Sequence, residues 1–292
     1  MAIELLSEER RSVIDNIAAA VAEGDSFRKV ELHDPRITDE DIRRVIVPFD
    51  NLRKGPVGRI KAHFARILAE KFTKSVNALT EIRGEENMKG ITGGAIITAN
   101  HYNPTDSTPI RILARRHGAR RRLHIVVQET NVFMTGLFGF LMKNCNTHPV
   151  SRNAEYMVKN LRPALEDILR RDNLVLIYPE QEMWFNYKKP RELREGAYHY
   201  AALFGVPIIP TFTEMRTQSG ERTVDGTLPV KHILHVMSPI YPDPTLSVRE
   251  NRTVMQARDR ELRRAKYEEV YGISPDTEFS AERDIAGIAP DT

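Results

Sequence analysis

The chain holds one cysteine, Cys145, in 292 residues. A lone thiol excludes an internal disulfide framework and suits a reducing compartment. Long apolar runs are missing too. The most apolar window, residues 132–142, falls well short of the roughly 20 residues that a bilayer-spanning helix needs. Residues 1–11 mix acids and bases among few hydrophobes and lack the basic-then-apolar order of a secretory leader, so a protein that stays in the cytoplasm is expected. No sign of charge dominates: 43 Lys and Arg against 40 Asp and Glu leave a net charge of +3, so attraction to anions has to come from local clusters. Neither G-x-G-x-x-G nor a Gly-Lys-Ser ending is present, and Gly93-Gly94 reads as a turn instead of a phosphate loop.

What is present is an ordinary globular composition, 41% apolar and 28% charged, long enough for one large domain or a domain with a helical addition. Ser7 is placed to cap a helix running to about residue 23, with Val13, Ile14, Ile17, Ala18 and Val21 on one face and Gly24 as the stop. After Gly58, the residues Ile60, Phe64, Ile67, Leu68, Phe72, Val76 and Leu79 recur at steps of three and four beside Arg59, Lys61, Arg66, Lys71 and Lys74, which predicts a basic amphipathic helix.

From Gly93 onward the pattern changes to short β-branched runs alternating with helical stretches, as in βαβ units. Strands are expected at residues 95–98, 123–128, 174–178, 207–211 and 232–237. Helices are expected at about 108–117, 154–170, where Pro163 should break the helix in two, and 196–204. A capping box, Ser247 to Glu250, opens a last helix that ends before Gly272; its apolar residues Val248, Met255 and Leu262 are so sparse that it should be largely solvated. The expected architecture is therefore α/β, a mainly parallel sheet flanked by helices, with an N-terminal amphipathic helical subdomain. The expected divisions are a helical region at 1–82, an α/β domain at 83–272 and a flexible tail at 273–292.

Asn100-His101-Tyr102-Asn103-Pro104-Thr105-Asp106 follows the first core strand, and functional groups of open α/β sheets collect at the carboxyl ends of strands. A turn through Pro104 brings the Asp106 carboxylate to the His101 imidazole. A carboxylate on one ring nitrogen fixes the tautomer and leaves the other as a base that works near neutral pH. The plainer alternative is that Asp106 caps the next helix and His101 is a turn residue.

This segment resembles the N-H-x-x-x-x-D block of the glycerolipid acyltransferase family, whose best-known members are the 1-acylglycerol-3-phosphate acyltransferases. Thr147-His148-Pro149-Val150-Ser151-Arg152 is similar to the second block, Tyr178-Pro179-Glu180 to the third, and Val206-Pro207-Ile208-Ile209-Pro210, preceded by Glu195-Gly196-Ala197, to the fourth. The ordered set covers about residues 94–211. The resemblance implies transfer of a fatty acyl group from an acyl thioester, acyl-CoA or acyl carrier protein, to a lipid hydroxyl. His101 would be the base, Asp106 its orienter, and Arg152 and Glu180 would bind the acceptor, with Asn100 beside them. An alcohol needs a base and a thioester is already activated, so no metal, cofactor or covalent intermediate is required.

The third block departs from the family's F-P-E-G-T-R. Gln181, Glu182 and Met183 stand where glycine, threonine and arginine are usual, which puts a bare glycerol phosphate acceptor in doubt. Lys188, Lys189, Arg191 and Arg194 follow closely enough to supply the missing charge. Trp184, Phe185 and Tyr187 either stack on a larger head group or pack under a loop. Arg111, Arg115, Arg116, Arg120, Arg121 and Arg122 form the densest basic cluster, suited to a solvated face, an anionic membrane surface or CoA phosphates. Without an interleaved aromatic it argues against nucleic acid. Residues 132–142 and the basic helix are either core or membrane-contacting elements. His232 and His235, three apart in a strand, face opposite ways and make a poor metal pair. Cys145 reads as a buried structural thiol.

The sequence thus points to an acyltransferase for a lysophospholipid or related lipid, peripherally associated with the cytoplasmic membrane. The rival classes are a noncatalytic adaptor for anionic membranes or nucleic acid, and a thioesterase or lipid hydrolase in which water replaces the alcohol.

Overall fold

The computed structural model describes residues 3–32, 35–118 and 122–290. Helix α1 (Glu8–Ala22) starts where Ser7 Oγ accepts the Arg10 N–H at 3.2 Å, and it buries Val13, Ile14, Ile17 and Ala20. Short helices α2 (Asp39–Asp41) and α3 (Phe49–Lys54) lead into the long α4 (Pro56–Val76). Ile42, Ile46 and Phe49 enter the main core, so this N-terminal region is packed onto the domain.

Seven strands form one sheet: β1 (Glu81–Arg83), β2 (Ala95–Thr98), β3 (Leu123–Gln128), β4 (Thr147–Val150), β5 (Leu174–Ile177), β6 (Ile208–Thr217) and β7 (Val230–Val236). Their order is β1-β7-β6-β2-β5-β3-β4, and every neighbouring pair is parallel except β6 with β7. The expected α/β class is therefore correct. Two short strands, β1 and β4, were not expected as strands. Both lie at the edges of the sheet, and Glu81-Ile82-Arg83 and Thr147-His148-Pro149-Val150 carry charge, histidine and proline in place of the apolar runs of β2 and β5.

Helices α5 (Ser107–Arg116) and α6 (Gly136–Asn144) cover one face, where Ile110 and Leu113 meet Ile97, Leu174 and Leu176. The other face carries α7 (Ala154–Tyr156), α8 (Arg162–Arg170) and α9 (Gly196–Phe204), with Leu165, Leu169 and Tyr198 against Ile96, Val175 and Ile208. Such two-sided cover follows from right-handed crossovers between parallel strands. Central β2 is consequently buried along its whole length. Gly94 leads into it where a Cβ would come within 2.2 Å of the Leu169 carbonyl, so only glycine lets the strand pass the end of α8.

Four local expectations need amendment. Pro163 does not split its helix into two separate pieces: the run from Ala154 to Arg170 stays helical, passing through a π-helical turn at Met157–Leu161 just before Pro163. Helix α10 (Val248–Tyr271) is exposed over much of its surface, as expected, but has a buried stripe that its apolar residues do not reveal. It buries Asn251, Met255, Asp259, Arg263 and Tyr267 at steps of four. Within that stripe Asp259 accepts from Arg263 Nε at 2.7 Å, Thr98 Oγ1 at 2.6 Å and Tyr198 OH at 2.7 Å, so the buried charges are paired and a count of apolar residues misses the face.

The expected flexible tail is packed as well. Helix α11 (Ala281–Asp284) precedes fully buried Ile285, Ala286 and Ile288, which join Trp184, Tyr187 and the apolar face of α1 in one cluster. Finally, α4 buries its small residues Gly58, Ala65, Ala69 and Thr73 instead of its large ones. Ala65 and Ala69 meet Phe140, Leu141 and buried, free Cys145, and Ile60 and Phe64 are each 57% exposed. Among the described residues no helix is long and apolar enough to cross a membrane.

Candidate active site

Strand β2 delivers Asn100 and His101 to the carboxyl edge of the sheet. Asn100 is clamped to β6, donating from Nδ2 to the Thr213 carbonyl at 3.2 Å and accepting the Thr213 N–H at 2.8 Å. The chain then turns because Asn103 Oδ1 accepts the N–H of Thr105 at 2.8 Å and its hydroxyl at 2.7 Å. That turn returns Asp106 to His101, with Nδ1 to Oδ2 at 2.6 Å. Asp106 makes no side-chain cap to α5, so its carboxylate serves the imidazole and not the helix end.

Two further groups hold this dyad. Tyr102 N–H donates to Asp106 Oδ2 at 3.1 Å, and Tyr178 OH donates to Oδ1 at 2.5 Å. The Tyr178 ring also stacks on the imidazole, centroids 4.1 Å apart and planes within 19°. Burial, then the negative charge of Asp106, pushes the Tyr178 phenol well above its ordinary value, so it remains a donor. With Nδ1–H given to the carboxylate, Nε2 is the basic nitrogen left to take a proton.

Glu180 lies beneath. It is buried, and its Oε2 accepts the His101 N–H at 3.2 Å and pairs with Arg191 Nη2 at 3.1 Å, while Oε1 accepts the Arg191 N–H at 3.3 Å. Arg191 also donates to the carbonyls of Ser26 and Glu182. Burial pulls its guanidinium below the ordinary value, and Glu180 opposes that shift. The structure therefore gathers Asn100, His101, Asp106, Glu180 and Arg191 into one constellation.

Other expected site residues are engaged elsewhere. Buried Lys189 pairs with Asp284 at 3.2 Å, and the Lys188 N–H donates to the Asp284 carbonyl at 2.8 Å. Both tie their loop to the C-terminal segment. Exposed Arg152 pairs with Asp39 at 2.8 Å beyond the end of β4, three strands from β2, or roughly 14 Å at the usual strand spacing. Trp184 and Tyr187 are buried and meet edge to face, so they pack under the loop. In the arginine cluster Arg115 pairs with Glu70 and Arg116 with Glu85, whereas Arg120 and Arg121 lie outside the described residues.

His235 bonds Glu214 at 2.7 Å, and burial lowers His232 to about 4. Among the described residues no group of three or more His, Cys, Asp and Glu side chains is placed to hold a metal ion. The hydrogen bond from Tyr178 to Asp106 has one signal in the sequence, a hydroxyl where the third block usually has phenylalanine. Gln128, to which no sequence motif points, donates from Nε2 to Glu182 Oε1 at 2.6 Å.

An imidazole oriented by a carboxylate at the carboxyl edge of a mainly parallel sheet is an arrangement suited to general acid–base chemistry. Residues 79–214 match the family model described as Acyltransferase. That stretch of the chain is similar to the acyltransferase family, and His101, Asp106, Arg152 and Glu180 all fall inside it. No curated protein matches the chain. Among solved structures it is similar to the 1-acyl-sn-glycerophosphate (LPA) acyltransferase PlsC from Thermotoga maritima, with 16% identity and a TM-score of 0.47 over 90% of this chain and 99% of that one.

Proposed function

We propose that the protein moves a fatty acyl group from acyl-CoA or acyl carrier protein to the hydroxyl of a lysophospholipid such as 1-acylglycerol-3-phosphate, or of a related lipid. The observation that supports this most is the His101–Asp106 pair, locked by Tyr178 inside the acyltransferase-family stretch. His101 Nε2 takes the acceptor's hydroxyl proton as the oxygen attacks the thioester carbonyl. The C–S bond then breaks, the new ester forms, and the proton passes to the departing thiolate. Asp106 stabilises the imidazolium in between. Glu180 acts as a positioning group, because it accepts the His101 backbone N–H, and Arg191 holds Glu180 in place. The reaction as written consumes no cofactor.

A peripheral place on the cytoplasmic face of the membrane is part of the same proposal. Ile60, Phe64, Ile67, Leu68, Phe72 and Val76 of α4 lie exposed, as do Leu137 and Phe138 of the neighbouring α6, among basic residues suited to an anionic lipid surface. No nucleic-acid partner is invoked.

The test is incubation of the purified chain with labelled acyl-CoA and a pool of lysolipids, followed by mass identification of the product and a free-thiol assay. Acceptor-dependent thiol release with an acylated lipid is expected. Thiol release without any acceptor would identify a hydrolase, and saturable vesicle binding without thiol release would identify an adaptor.

A further inference from the structure

The loop that closes over the catalytic histidine carries more carboxylate than guanidinium. Residues 180–184 are stitched to His101 at both ends, by Glu180 on its N–H at 3.2 Å and by the Trp184 N–H on its carbonyl at 3.0 Å. Midway, half-buried Glu182 holds Gln128, the last residue of β3.

Of the cations that follow in sequence, Arg191 is paired with Glu180 and Lys189 with Asp284, Lys188 Nζ lies 5.6 Å over the Tyr271 ring, and exposed Arg194 bonds the neutral Gln181 side chain at 3.1 Å. Among the described residues, Asp106, Glu180 and Glu182 thus share this region with one buried guanidinium, that of Arg191. A phosphomonoester carries about −1.5 to −2 charges near neutral pH and would meet unbalanced carboxylate there.

The aromatic faces near the loop are covered too. Arg191 lies 4.5 Å over Trp184, Arg10 4.5 Å over Phe185, and Arg194 3.7 Å over Phe27. A quaternary ammonium, which is held by open aromatic faces, finds none on these three rings. Beyond its one bond, the Gln128–Glu182 pair still offers a carboxylate oxygen, an amide carbonyl and a second amide N–H. That alternation of acceptors and a donor matches hydroxyl groups.

We propose that Gln128 and Glu182 select an acceptor whose head group is uncharged and hydroxyl-bearing, a polyol or sugar, over one ending in a phosphomonoester. The proposal rests on the acyl-transfer reading above and narrows its acceptor.

The test compares kcat/KM of the full chain, with one acyl-CoA, for 1-acylglycerol-3-phosphate and for a 1-acylglycerol bearing a glucosyl head group, each in the same neutral detergent micelles. A preference of about tenfold or more for the glucosyl acceptor is expected. Glu182→Gln should cut that preference by about tenfold, and Glu182→Arg should raise use of the phosphomonoester by about tenfold. If Glu182→Arg fails to fold, Glu182→Gln decides.

Equal use of both acceptors, or a preference for the phosphomonoester, overturns the proposal while leaving acyl transfer standing. Loss of a phosphomonoester preference in Arg111→Gln would then locate the head group on α5 instead. Absence of transfer to either acceptor, with no thiol released, ends the acyl-transfer reading and this inference together.

Discussion

The phenol of Tyr178 donates to Asp106 Oδ1 at 2.5 Å, on the carboxylate whose other oxygen orients His101. One aromatic residue at the end of β5 thereby fixes both members of the dyad, the acid through its hydroxyl and the imidazole through its ring face. Tyr178→Phe keeps the stacking and deletes the hydrogen bond. The carboxylate then loses one of the contacts that hold it against the imidazole, so the dyad is less firmly oriented. The rate at the optimum should fall about threefold to tenfold, the scale of one hydrogen bond. A kcat/KM equal to that of the unaltered protein would show that the hydroxyl has no part in holding the dyad.

His101→Ala should lower kcat by roughly 10²- to 10⁴-fold with the circular dichroism and melting temperature preserved, since His101 is partly exposed. Asp106→Asn should cost most of the rate as well, because an amide no longer stabilises the imidazolium. Acyl transfer undiminished in either variant removes the base from the mechanism.

Membrane association can be measured by vesicle flotation. Phe64→Ser combined with Phe72→Ser removes two rings from the exposed stripe of α4 and should weaken binding to anionic vesicles by at least about tenfold, given roughly 1.5–3 kcal/mol for each large apolar side chain buried. Because both side chains point away from the core, unfolding midpoints should hardly change. Unaltered flotation would assign the stripe another occupant.

The Asp259–Arg263 pair is fully buried between α10, α9 and β2. Asp259→Ala strands the guanidinium and leaves the Thr98 and Tyr198 hydroxyls without their acceptor, so urea unfolding should show a loss of about 3–5 kcal/mol. The double variant Asp259→Ala/Arg263→Met should recover a large part of it. A loss below about 1 kcal/mol in the single variant would mean that the charges reach water.

Burial lowers His232 to about 4, below the ordinary histidine value, so the unfolded chain binds a proton that the folded chain refuses. Its contribution is complete above about pH 6.5, drains away as pH falls from there to about 4, and is flat below, an effect on the order of 3 kcal/mol. Thermal unfolding across that range should show His232→Phe losing less stability than the parent protein. Equal slopes would place the acid sensitivity elsewhere, with His124, lowered to about 4 mainly by burial, the next group to replace.

The local signals that survive into the structure are those written within a few residues. Ser7 and the Ser247–Glu250 box cap their helices, Gly24 and Gly272 end them in left-handed conformation, and the five runs expected as strands lie in the sheet. The His101–Asp106 contact is local too, a turn of five residues set by Asn103 and Pro104. Sequence alone therefore determined the α/β class and the places of five strands, and it offered the dyad beside a plainer helix-cap reading, because periodicity, capping and turn chemistry act over short distances.

Tertiary structure decided the rest. Burial depends on what a residue meets across the fold, so it alone put the small face of α4 inward and its large apolar face outward. It paired charges along α10 where a count of apolar residues predicts solvent, and it docked residues 285–288 against α1. It also turned Lys189 and Arg191 from candidate phosphate ligands into buried partners of Asp284 and Glu180, and set Tyr178, 72 residues from Asp106, against the dyad. A charge shows in sequence, but whether it is free for a ligand depends on the partner that the distant chain brings to it.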